Sequence, residues 1–81
     1  MDTRIAVLSI IVEDSKDTAE LNQMIHEYAE YVVGRMGIPY REKGVNIISL
    51  VVDAPQNAIS ALSGRIGRLS GVTSKVTYAK M

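Results

Sequence analysis

Ile5-Ala6-Val7-Leu8-Ser9-Ile10-Ile11-Val12 and Val45-Asn46-Ile47-Ile48-Ser49-Leu50-Val51-Val52 decide the fold, because each stretch is apolar on both sides of a strand. Successive side chains of a strand point to opposite faces of its sheet. In the first stretch Ile5, Val7 and Ile11 point one way, and Ala6, Leu8, Ile10 and Val12 the other. In the second, Ile48, Leu50 and Val52 oppose Val45, Ile47 and Val51. Strands of this kind belong mid-sheet with both faces covered. The remaining sequence holds enough helix for one face only. The cover expected for the other is a second copy of the chain, resting on Ile5, Val7, Ile11, Ile47 and Val51.

The segments around these strands complete the pattern. Leu21, Ile25, Tyr28 and Val32 recur at helical spacing, with Met24 widening the stripe and Glu20, Gln23, Glu27 and Glu30 on the wet side. This predicts a helix running to about Tyr31. Asp14, Ser15 and Asp17 precede it, and each can accept a bond from its free N–H groups. Asp17 and Glu20 also have the spacing of a capping box. Val32 to Arg41 reads as a weaker strand interrupted by Gly34, Gly37 and Pro39. Proline offers the ladder no N–H, so this strand belongs on an edge. Glu42-Lys43-Gly44 makes a short hairpin turn in which Gly44 takes positive φ. The second apolar strand extends to Asp53, and Pro55 suits the first turn of a helix capped near Asp53 or Ala54. Ile59, Leu62, Ile66 and Leu69 form that helix's buried stripe, Gly71 ends it, and Val72 to Ala79 is a last strand. Val72, Ser74, Val76 and Tyr78 share one side of it.

The order β-α-β-β-α-β is the ferredoxin-like arrangement, an α+β sandwich with a four-stranded antiparallel sheet and two helices on one face. Its first and third strands are the central pair, and here these are the two doubly apolar ones. One domain spans residues 1–81. A chain of 81 residues buries only about 60% of its unfolded surface, and oligomerisation is a common way to add core.

Composition narrows the function. Nine basic residues balance nine acidic ones, whereas nucleic-acid binding draws on a basic excess. RNA-recognition modules share this strand order but stack bases on aromatic residues of the central strands, and neither central strand has one. There is no cysteine, so disulfides, thiolate catalysis and thiolate metal sites are excluded. No apolar run approaches the roughly 20 residues that span a bilayer. The first residues lack the layout of a signal peptide, which makes a cytoplasmic protein the expectation.

The remaining constellations are sparse. Gly64-Arg65-Ile66-Gly67 has the form of a GXXG backbone clamp. It lies inside a helix pattern, where the small residues Ala58, Ala61, Ser63, Gly64 and Gly67 would instead let that helix approach its neighbour. His26 and Glu30 lie one turn apart, and two ligands make a poor metal site. No nucleophile–base pair stands out, so neither catalysis, a metal nor a cofactor is expected. Ser9 and Ser49 each interrupt an apolar face mid-strand; their hydroxyls serve tight packing or a bond to a local neighbour, or, if the two faces coincide, a polar point for a ligand or a subunit contact.

The openings Val12-Glu13-Asp14, Arg35-Met36-Gly37-Ile38-Pro39-Tyr40-Arg41-Glu42 and, above all, Ala61-Leu62-Ser63-Gly64-Arg65-Ile66-Gly67-Arg68-Leu69-Ser70-Gly71-Val72 carry a resemblance. Nearly the whole chain resembles a family of short iron-only hydrogenase system regulators, whose name records an association with hydrogenase maturation rather than a reaction. The resemblance implies an ACT-like domain, used in regulatory oligomers to sense small ligands, and a similarity to the ligand-binding domain of nickel-responsive repressors. The nickel ligands of those repressors have no equivalents here. The loop Glu13-Asp14-Ser15-Lys16-Asp17 also lacks the glycine of many amino-acid-binding ACT domains. The expectation is a regulatory or sensing homo-oligomer, dimer or tetramer. Its effector would be a small molecule, held near Asp14 and Ser15 or at Ser9 and Ser49, or a partner protein. Direct contact with DNA is a third reading.

Overall fold

The computed structural model describes residues 2–13 and 18–80. Along the chain come β1 (Arg4–Glu13), α1 (Thr18–Glu27), a 3-10 turn (Ala29–Tyr31), β2 (Val32–Tyr40), a second 3-10 turn (Arg41–Lys43), β3 (Val45–Ala54), α2 (Gln56–Gly67) and β4 (Val72–Tyr78). The strands form one sheet in the order β2-β3-β1-β4, with every neighbouring pair antiparallel. The two doubly apolar strands are the central pair, and the Gly- and Pro-bearing strand is on an edge. The fold is the ferredoxin-like α+β sandwich.

One face of the sheet and both helices enclose a single core. β1 contributes Ala6, Leu8, Ile10 and Val12, and β3 contributes Ile48, Leu50, Val52 and Ala54. Leu21, Met24 and Ile25 of α1 and Ile59, Leu62 and Ile66 of α2 close over them. Burial of such side chains is worth about 1.5–3 kcal/mol each, and it is what fixes the strand register. A slip of one residue would turn every one of them to the opposite face.

Element ends depart from the sequence reading where the chain must change direction. The first helix stops at Glu27 rather than near Tyr31. From there the backbone tightens, with Tyr28 N–H donating to Ile25 C=O and Tyr31 N–H to Tyr28 C=O. Val32, placed by its spacing on the helix stripe, is instead the first residue of β2 and pairs with Val52. The half-buried rings of Tyr28 and Tyr31, 6.5 Å apart, pack on the core at this corner. A bulge between Val32 and Gly34 follows. Asp53 and Ala54 belong to β3, so Pro55 occupies the N-cap position of α2, and its carbonyl accepts from Ala58 and Ile59. The second helix ends at Gly67, before the buried Leu69, and Gly71 (φ 74°) then turns the chain into β4. Gly44 has the expected positive φ, 65°.

The small residues of α2 do not serve the close helix approach expected of them. A methyl group added at Gly64 would meet only the Arg68 guanidinium, at 3.6 Å, and one at Gly67 would meet nothing within 4 Å. Ala58 does pack against the core, but Ala61 is exposed. The pair Gly64 and Gly67 sits within helix, not in a clamp loop.

Candidate functional site

The face of the sheet turned away from the helices is laid out by the strand registers. Gly34, Val51, Val7 and Thr77 form one row across it. Met36, Ser49, Ser9 and Lys75 form the next, then Ile38, Ile47, Ile11 and Thr73, then Tyr40, Val45 and Glu13. Ile5 and Asp53 pair beyond the first row. Three strands therefore present a nearly continuous apolar surface, and β4 borders it with two threonines and a lysine. None of the described residues covers it: Met36 is 61% exposed, Ile38 50% and Ile11 46%. Val7 and Val51 are half-buried only by their neighbours in the sheet.

Ile5, Val7, Ile11, Ile47 and Val51 thus share one open surface. Met36, Ile38 and Tyr40 of β2 extend it; they were not singled out from sequence, although their alternate spacing carries the signal. Ser9 and Ser49 face each other directly in the register, at the centre of the surface. A shallow groove of about 360 Å³ runs from Ser9 over Thr73, Lys75 and Thr77. Asp14 and Ser15 lie outside the described residues.

Two polar clusters on the helix side close the sandwich rather than open a site. At one end the Arg4 guanidinium lies 4.1 Å from the centre of the Tyr78 ring and donates to Gln56 Oε1 at 2.6 Å. Gln56 Nε2 in turn donates to Ser60 Oγ and Tyr78 Oη. Between the helices Arg65 Nη1 donates to Glu27 Oε1 at 2.8 Å, beside the Tyr28 ring. The hydrogen bond and charge of Arg65 lower the Glu27 pKa. A depressed folded-state pKa adds stability above the unfolded value, and that stability is lost as pH falls through the folded one. In a carboxyl-detected NMR titration Glu27 is therefore expected to protonate below the ordinary glutamate range, and Arg65→Gln to return it there; an unchanged midpoint in the variant would refute the pairing.

His26 lies in the last turn of α1 and Glu30 beyond the break, so the two do not share one helix face. Among the described residues no three His, Cys, Asp or Glu side chains gather as a metal site, and no helix is long and apolar enough to cross a membrane.

Comparison with known proteins adds a family. Residues 4–76 match the TM1266-like family model, described as an iron-only hydrogenase system regulator. The solved structure of the uncharacterized protein TM1266 from Thermotoga maritima is 38% identical, with a TM-score of 0.94, over 98% of this chain and 100% of that one. A formyltetrahydrofolate deformylase from Pseudomonas putida KT2440 shares the fold at 16% identity and a TM-score of 0.68, over 95% of this chain but only 29% of that one. No curated protein matches.

Proposed function

Since the chain belongs to the TM1266-like family of iron-only hydrogenase system regulators, we propose that it is a regulatory module, working by binding rather than catalysis, and that it acts as a homodimer paired through the open face of its sheet. The observation that carries this reading is the exposed apolar surface on β1, β2 and β3. Exposed patches of this kind on small proteins mark interaction sites.

Size argues for a second copy as the occupant. Four strands at about 4.8 Å and nine residues at about 3.3 Å give a footprint of roughly 19 by 30 Å, about 600 Å² for each partner. The accessible area of a corrugated face exceeds its footprint, which brings it to the roughly 800 Å² per partner of a stable complex. Charge argues the same way. Glu13 and Asp53 stand at opposite ends of the surface and Lys75 at its β4 border, so an identical face can lie on it without bringing like charges together at the centre. Such pairing is isologous and closes with two copies, with the two sheets stacked about 10 Å apart.

The test is the solution mass, by sedimentation over a wide concentration range. A dimer, or a tetramer built from it, is the expected result. A monodisperse monomer at every concentration would overturn the proposal and assign the face to a different protein.

A further inference from the structure

We infer that the trough between α1 and β2 binds a small oxyanion, a carboxylate or a phosphate group, through the guanidinium of Arg35. The inference goes beyond the dimer reading and rests on the geometry of one chain. On the helix-facing side of β2, alternation places Arg35, Gly37 and Pro39 opposite Leu50, Ile48 and Asn46. None of the three is a large apolar residue, so beyond Val32 the core stops at β3 and leaves this part of the edge strand uncovered. The space left is a groove of about 240 Å³ bordered by Asn22, Arg35, Gly37 and Asn46. It continues past Arg35 and Asn22 as a second groove of about 360 Å³ reaching Ile25 and His26.

Three features make this a receptor for an anion rather than a packing gap. Arg35 Nη2 donates to Asn22 Oδ1 at 3.1 Å, and among the described residues no carboxylate pairs with this guanidinium, the Glu27–Arg65 bridge being the ion pair they contain. A neutral amide therefore orients the charge without cancelling it, and the remaining N–H groups keep the planar fork that suits two oxygens of one ligand. The Asn22 and Asn46 side chains each carry further amide N–H donors at the rim. Gly37 leaves the floor open, since a methyl group there would meet nothing within 4 Å. Glycine inside a strand weakens it and often marks a close approach by another molecule.

The probes are sodium phosphate and, separately, sodium succinate, titrated into the ¹⁵N-labelled protein at constant ionic strength with sodium chloride as control. Saturable shifts are expected at the Gly37 amide, the Asn22 and Asn46 side-chain amides and Arg35 Nε. Arg35→Gln should weaken binding at least tenfold, and Gly37→Ala, which fills the floor without touching the core, several-fold. Saturation by phosphate alone assigns a phosphate-type ligand, and saturation by succinate alone a carboxylate; each supports the inference. No saturation with either probe, or equal affinity in Arg35→Gln, would overturn it. The same spectra show whether each variant is folded. Because the trough lies on the helix side of the sheet, solution mass and titration fail independently.

Discussion

Leu8→Ala is expected to lower the unfolding free energy by about 2–5 kcal/mol, the range for a fully buried leucine that leaves a cavity. Leu8 is 0% exposed. It sits at the middle of a central strand, between Leu50 on β3 and Val76 on β4. A domain of this length holds a total of roughly 4–12 kcal/mol, so the variant should sit near the edge of folding. Ile11→Ala removes a comparable side chain from the same strand three residues later, but from the open face. Its cost within a single chain should be about 1 kcal/mol, because the side chain is already 46% exposed. Urea unfolding of both variants at one matched protein concentration checks the contrast, since any self-association couples stability to concentration. At a concentration where the chain is monomeric, equal losses would mean that the two faces of β1 are not buried as described.

The two faces of β1 and β3 were legible in the sequence because strand alternation is local: a residue's side follows from counting along the chain. So were the edge position of β2, from Pro39, and the positive φ of Gly44. The corners were not legible. Val32 fits a helical stripe as well as a strand start, and only its pairing with Val52 across the sheet decides. Asp53 is a good cap by composition, yet its register partner Ile5 holds it in β3. The part of the open face on β2 was less legible than that on the central strands, because Gly34, Gly37 and Pro39 break the apolar alternation that Met36, Ile38 and Tyr40 carry. The trough was out of reach for a different reason. Asn22 and Arg35 are thirteen residues apart, and nothing local says that a helix side chain will meet an edge strand.

Ile47→Asp is expected to convert the proposed dimer to a monomer while leaving the fold intact. Ile47 lies in the row Ile38, Ile47, Ile11 and Thr73, near the middle of the open face, and is 38% exposed in the single chain. An aspartate there is hydrated in the monomer, where it costs at most about 1 kcal/mol of strand preference. In a face-to-face dimer the side chain is too short to reach the rim. Burying an unpaired charge costs several kcal/mol, and two-fold symmetry repeats the cost on the second copy. The dissociation constant should then rise on the order of a thousandfold or more. Sedimentation of the variant beside the parent protein reads this directly, with circular dichroism confirming that the strands persist. A variant that keeps the parent's dimer mass would show that copies associate elsewhere, at a strand edge or through the helices. Arg35 and Asn22 lie on the opposite side of the sheet from Ile47, so a folded Ile47→Asp monomer should bind phosphate or succinate as the parent does. Loss of that binding together with the dimer would show that the trough needs a neighbouring copy to be complete.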